Sequence, residues 1–253
     1  MTTDHSTGLR APPLLSPDQC LFLDFDGTLA ELAARPDAVS VASGLSDGLL
    51  DLATALHGAV AVVTGRRLAE VDAYLAPLQL TGAGAHGAEA RDVADGVTLA
   101  RVTAIPEAAV DTLREQLMVL PEVWLENKSF GVAIHYRQNP AAAVACTDIL
   151  AAWVEQRNLV LVPGHCVIEA RQAGLGKDRA ILRLMSLPAF AGRRPVFIGD
   201  DVADEDGFAA VQALGGHGIK VGTGRTTANF RLDSVADVHA WLEASRMAME
   251  KSA

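Results

Sequence analysis

The chain has 253 residues, half of them apolar and 21% charged, with 21 Lys and Arg against 31 Asp and Glu for a net charge of −10. That composition excludes a disordered chain, which would be poorer in apolar residues, and a dedicated nucleic-acid binder, which would carry a basic patch. The length allows one large domain or two moderate ones, and an acidic chain can still hold one phosphate group with a few local cations.

In chain order, residues 1–18 carry four prolines or glycines and no periodicity, and are expected to form a flexible lead-in. The first 20 residues lack the basic start and apolar core of a signal peptide. No apolar stretch approaches the ~18 residues needed to span a bilayer. Cys20, Cys146 and Cys166 are odd in number and widely spaced, which suits reduced thiols in a cytoplasmic protein better than a disulfide framework or a zinc knuckle.

Five short apolar runs follow the same form: CLFLDFDG, AVAVVTGR (59–66), LQLTGAGA (78–85), PVFIGDD (195–201) and GIKVG (218–222), each stopping at Gly or a polar residue. Continuous apolar strands of this kind suit a parallel sheet covered on both faces. Helical patterns lie between them at about 43–57, 66–76, 177–187 and 203–214, so the alternation predicts a doubly wound α/β layer. Gly82 to Gly87 spell G-x-G-x-x-G, but Asp95-Gly96 between apolar alternations predicts a hairpin after them rather than the helix of a dinucleotide site. Gly222-Thr223-Gly224-Arg225 is expected to be a turn, and no element is assigned beyond it.

Residues 106–172 differ. A helix pattern at 106–119 precedes two strands, 122–129 and 131–137; a second helix at 140–157 precedes strands 159–163 and 165–171, joined at Pro163-Gly164. This αββαββ order predicts a separate α+β unit inserted between 19–105 and 173–253. By the two-residue side-chain period of a strand, Glu122, Trp124, Glu126 and Lys128 share a face, as do His135 and Arg137, and Glu169 and Arg171. Such a charged face is either simply solvated or the polar side of a lid.

The chemistry-bearing residues end the apolar runs. Asp24 and Asp26, two apart in DFDGT, project together from a strand end where Gly27 lets the chain turn; such a carboxylate pair suits a proton or Mg²⁺ between them. The bland alternative is a turn with solvated acids. Asp200 and Asp201 follow another apolar strand, with Asp204 to Asp206 partly accounted for by the favourable placement of acids at a helix N-terminus. If the strands run 3-2-1-4-5, these two ends flank the point where the strand order reverses and ligands bind. Thr64-Gly65-Arg66 opens a helix after the second strand and can hold a phosphoryl oxygen, and Gly176-Lys177 opens another.

In that order, DFDGTL (24–29), Thr64, Lys177 and GDDVADE (199–205) resemble the four motifs of the haloacid-dehalogenase superfamily of aspartyl-phosphate phosphatases. AHGAE (85–89), ENK…AIHYR (126–137), VIEAR (167–171) and GLGK are similar to features of its trehalose-6-phosphate phosphatases. The resemblance implies a Rossmann-like core with an inserted C2-type cap, and Mg²⁺-dependent hydrolysis of trehalose 6-phosphate in trehalose biosynthesis. It implies Asp24 as nucleophile, Asp26 as acid and base, and Thr64 and Lys177 as stabilisers of the transferring phosphoryl group. The implied metal ligands are Asp24, the Asp26 carbonyl and Asp200, with Asp201 and Asp204 outside them. The implied substrate contacts are Gly65, Arg66, Glu126, Lys128, His135, Arg137 and Glu169. His86 and Glu89 either touch substrate or brace their loop. Rival readings are a phosphatase of another sugar phosphate, such as sucrose or mannosylglycerate phosphate, and a non-catalytic sugar-phosphate sensor. The expected partner is a small-molecule substrate, with neither nucleic acid nor membrane, and a monomer is the simplest assembly consistent with that.

Overall fold

The structure, a computed structural model, describes residues 9–32, 39–101, 104–128, 130–155, 157, 159–164 and 166–251. The chain divides into two compact units, Met1–Arg101 with Gly176–Ala253, and Val102–Leu175.

The first half of the larger unit runs β1 (Gln19–Leu23), α1 (Leu45–Ala55), β2 (Val60–Val63), α2 (Leu68–Leu75), β3 (Thr81–Gly84), β4 (Glu89–Asp92) and β5 (Val97–Arg101). The smaller unit contributes α3 (Glu107–Leu117), β6 (Trp124–Asn127), β7 (Gly131–His135), α4 (Ala143–Val154), β8 (Leu159–Gly164) and β9 (Val167–Gln172). The larger unit resumes with α5 (Lys177–Leu184), β10 (Arg194–Gly199), α6 (Glu205–Ala213), β11 (His217–Val221), β12 (Phe230–Leu232) and α7 (Val235–Glu250).

In the larger unit one sheet has the order β12-β11-β10-β1-β2-β3-β4-β5, parallel from β12 to β3 and antiparallel in the β3-β4-β5 meander. Every residue of β1 and β2 is buried, which is why both read as continuous apolar runs rather than alternating ones. The helices cover the sheet with i, i+3, i+4 faces: Leu45, Leu49 and Leu52 of α1, Ala180, Ile181 and Leu184 of α5. G-x-G-x-x-G runs into a short turn at 85–87 and then the β4-β5 meander, so no helix follows it.

Two features of the larger unit depart from the expectations. β12 and α7 form beyond residue 222, where no element was assigned. Ser234 caps α7, its hydroxyl accepting from the Asp237 N–H at 3.2 Å. The lead-in at 1–8 lies outside the described residues, but its continuation is tied down: Leu15 is buried, its N–H donates to Ser245 Oγ (3.2 Å), and the Pro13 carbonyl accepts from the Trp241 indole (3.1 Å).

In the smaller unit, α3 and α4 pack on one face of an antiparallel sheet of order β6-β7-β9-β8. Val110, Leu113, Cys146, Leu150 and Trp153 of the helices meet Val132, Ile134, Ile168 and Ala170 of the strands in a core of its own. The predicted Pro163-Gly164 corner is corrected: both residues close β8, paired with Ile168 and Val167, and Cys166 lies in a turn. The predicted 131–137 strand stops at His135 and Arg137 sits in the following turn, so Arg137 does not share the strand face of His135. Among the described residues, no helix is long and apolar enough to cross a membrane.

Candidate active site

β10, β1 and β2 are neighbours, so Asp200, Asp24 and Thr64, each the first residue past its strand, come together at one sheet edge. The Asp24 N–H extends the β1-β10 ladder onto Ile198 O (3.0 Å), and the Thr64 N–H extends β2 onto Ala83 O (2.9 Å). Strand order reverses between β1 and β10, which places these ends at the sheet's ligand-binding crevice.

After Asp24 the chain folds back sharply. The Phe25 carbonyl accepts the N–H groups of Leu29 and Ala30 (2.9 Å each), and Gly27 takes φ +71°. Gly27 is required twice over: that φ disfavours a Cβ, and a Cβ here would lie 2.1 Å from Asp200 Oδ2. The Asp200 carboxylate is thus packed onto bare backbone of the DFDGT turn.

Lys177, the first residue of α5, is almost fully buried between two carboxylates, with Nζ 2.9 Å from Asp24 Oδ1 and 2.5 Å from Asp204 Oδ1. Asp204 is held in turn: its Oδ2 accepts the Asp201 N–H (2.9 Å), while the Asp201 carboxylate accepts the Val202 N–H (2.7 Å). Lys220 on β11 donates to the backbone carbonyls of Asp200 and Val221, fixing the Asp200 turn from below. Burial opposes charge on Lys177, but Asp24 and Asp204 outweigh it and hold the ammonium above its usual range. Burial pushes the Asp24 carboxyl up despite Lys177. Burial, with Asp204 and Asp201 nearby, pushes Asp200 up to about 6.

Asp24, Asp200 and Asp204 bring oxygens within 4.8 Å of one another. Three crowded carboxyls, two of them pushed up, are what an added cation relieves. An all-oxygen donor set suits a hard divalent ion, so the residues present fit one. Asp204 is engaged through both its oxygens, by Lys177 and by the Asp201 N–H.

Asp26 forms a bidentate pair with Arg66, Oδ2 accepting from Nε at 2.6 Å and Oδ1 from Nη2 at 2.7 Å. The guanidinium packs over the Phe25 and Tyr74 rings. Arg66, read from sequence as a substrate contact, is thus seated on Asp26. Thr64 Oγ1 accepts the Arg66 N–H (3.1 Å), shaping the turn that leads into α2. Glu89 binds the Leu68 N–H (3.0 Å) and Arg67 Nε (3.2 Å), bracing the α2 N-terminus. His86 lines the same cavity of about 350 Å³ as Asp24, Asp26, Thr64, Lys177 and Asp200.

In the smaller unit, Glu126, Ala133 and Glu169 lie in register across β6, β7 and β9. Lys128 Nζ donates to Glu169 Oε1 (2.6 Å) and Glu126 Oε2 meets His135 Nε2 (2.9 Å). Half-exposed Trp124 stacks flat on His135, ring centroids 4.1 Å apart. These charged groups therefore form one polar sheet face, opposite the face that packs on the helices. Lys220 and the Asp26–Arg66 pair were missed from sequence. A lysine inside a strand buried on both faces was the available signal for Lys220.

The sequence profile of the family described as trehalose-phosphatase matches residues 22–236. The chain is 40% identical over 251 residues to the trehalose-6-phosphate phosphatase of Escherichia coli (strain K12), covering 96% of this chain and 92% of that protein. It is 39% identical to a probable trehalose-phosphate phosphatase of Sinorhizobium fredii, covering 80% and 77%. Among solved structures, the C-terminal domain of Candida albicans trehalose-6-phosphate phosphatase superposes with a TM-score of 0.73 at 20% identity, covering 91% of this chain and 92% of that one. A haloalkanoate-superfamily phosphatase of Bacteroides thetaiotaomicron superposes with a TM-score of 0.62 at 17% identity over 91% and 95%. With its four motif segments meeting at one sheet edge, the chain belongs to the trehalose-phosphatase family, on the haloacid-dehalogenase fold.

Proposed function

We propose that the protein is a cytoplasmic, Mg²⁺-dependent phosphatase that hydrolyses trehalose 6-phosphate to trehalose and phosphate. The observation that carries the chemistry is Asp24 at the centre of the sheet edge, on the Lys177 ammonium and beside Asp200. The likeness to named relatives over nearly the whole chain supports the substrate.

Asp24 attacks phosphorus, the bond to the sugar oxygen breaks, and an aspartyl phosphate forms. Asp26 gives a proton to the departing oxygen and then takes one from the water that attacks phosphorus, freeing Asp24. The Arg66 guanidinium, paired to both carboxyl oxygens, orients Asp26 for these two roles. Lys177 and Thr64 stabilise charge on the transferring oxygens, and Asp204 fixes the ammonium. The Asp24 and Asp200 carboxylates and the Asp26 carbonyl would hold Mg²⁺, which would supply charge neutralisation at the phosphoryl group.

Residues 106–172 serve as the cap that selects substrate. Glu126, Lys128 and Glu169 bind the sugar hydroxyls, with His135 holding Glu126 and Arg137 a weaker candidate. The test is phosphate release from a panel of sugar phosphates with Mg²⁺ and with EDTA. Trehalose 6-phosphate should be the best substrate and EDTA should abolish turnover. A better rate on sucrose or mannosylglycerate phosphate would reassign the substrate, and no release from any ester would leave a sensor.

A further inference from the structure

Among the described polar side chains lining the cavity, His86 alone belongs to none of the four motifs. It is also the most constrained. Ala85 lies at φ 48°, His86 at φ 56° and Gly87 at φ 94°, a left-handed run that only the last residue adopts without steric cost. Strain of this kind persists where the surroundings over-determine it, and it clusters at functional sites.

The surroundings here are the Thr64-Gly65-Arg66 segment. The Ala85 N–H donates to Arg66 O (2.7 Å) and the His86 N–H to Thr64 O (3.1 Å), while Arg183 holds Gly87 O (3.2 Å). The effect is to lay the imidazole on Gly65. A Cβ at Gly65 would come within 2.9 Å of both Cε1 and Nε2, so the ring occupies the space a side chain would fill. Glu89, three residues on, is spent on the α2 N-terminus, so the bracing and the cavity contact of the AHGAE loop fall on different residues.

We propose that His86 is a phosphate-side substrate contact, whose ring N–H donates a hydrogen bond to the phosphoryl group held by Thr64 and Lys177. The ring rests against the residue next to Thr64, so its donor serves the same oxygens. The left-handed turn exists to put it there. The inference rests on the phosphomonoesterase reading and not on the identity of the sugar.

The experiment compares wild type, His86→Gly and His86→Gln. His86→Gly removes the donor and relieves the strain, so it should fold with an unchanged or raised Tm. Its kcat/KM should fall about 10- to 100-fold, as expected for a lost hydrogen bond to a charged group. The loss should match on trehalose 6-phosphate and on p-nitrophenyl phosphate, and inhibition by inorganic phosphate should weaken. His86→Gln, which restores an N–H near the Nε2 position, should recover several-fold of the loss. The proposal fails if His86→Gly stays within threefold of wild type on both esters, if only the sugar ester suffers, or if phosphate inhibition is unmoved. Because p-nitrophenyl phosphate and inorganic phosphate carry no sugar, a wrong sugar assignment would show as inactivity on trehalose 6-phosphate alone and leave this result intact.

Discussion

Gly27→Ala tests how the metal-side carboxylate is placed. The new methyl would sit 2.1 Å from Asp200 Oδ2, 2.3 Å from its Cγ and 2.8 Å from Oδ1. Carbon and oxygen cannot approach closer than roughly 3.3 Å without strong repulsion, so the carboxylate must retreat by about 1 Å. Lys220 holds the Asp200 carbonyl, so the side chain rather than the backbone has to move. The φ of +71° adds roughly 1–2 kcal/mol for any residue with a Cβ. For a unit of this size that lowers Tm by about 2–8 °C, leaving a folded protein. A 1 Å displacement at a reacting centre can cost about 100-fold, so kcat/KM for phosphate release at fixed Mg²⁺ should fall by about that factor, with more Mg²⁺ needed for half-maximal rate. Phosphate release across a Mg²⁺ titration, with a melting curve on the same sample, measures both. A variant within threefold of wild type, with unchanged Mg²⁺ demand, would refute the placement of Asp200 on Gly27 as a condition of activity.

Lys177→Met leaves Asp24 and Asp204 facing each other without their shared cation, and breaking a buried pair costs about 3–5 kcal/mol; a melting temperature within 2 °C of wild type would contradict the pairing. Asp24 and Asp200 have carboxyls pushed up by burial, so without metal the stability they contribute is present near pH 4 and is lost as pH rises through about 6 and above. The Tm gain on adding Mg²⁺ should therefore be larger at pH 7.5 than at pH 5, and a pH-independent gain would argue against these two as the ion's holders. Lys128→Ala and Glu169→Ala should each lower kcat/KM for trehalose 6-phosphate about 10- to 100-fold while sparing p-nitrophenyl phosphate; equal losses on both would make the pair structural.

Asp24, Thr64, Lys177 and Asp200 were legible because each ends or opens an element with an unmistakable period. An apolar run buried on both faces stops, and the next residue is at the sheet edge. Their convergence followed from the β3-β2-β1-β10-β11 order, which is the 3-2-1-4-5 arrangement assumed from the alternation. The destination of Arg66 was not legible, since Asp26 lies 40 residues away and the motif alone suggests a phosphate contact. Lys220 was hidden in the other sense, as a charge inside GIKVG whose partners are backbone carbonyls with no sequence signature. The α7 helix carries a readable stripe at Val235, Val238, Trp241, Leu242, Ser245 and Met249, but it follows a glycine-rich turn that interrupts the strand-helix alternation. The corner expected at Pro163-Gly164 rests on Pro-Gly usually punctuating a hairpin; here Pro163 and Gly164 pair with Ile168 and Val167 instead, and Cys166 adopts φ 60° in the turn.

The central claim is that Asp24 is the nucleophile, and the direct measurement is phosphate release from trehalose 6-phosphate by Asp24→Asn beside wild type, with Mg²⁺ present. The amide keeps the shape of the side chain at the β1 end and removes the charge that attacks phosphorus. Losing a covalent nucleophile typically costs several orders of magnitude, so a folded variant should retain less than about 1% of wild-type turnover. A variant that folds and still releases phosphate at a tenth of the wild-type rate would contradict the account.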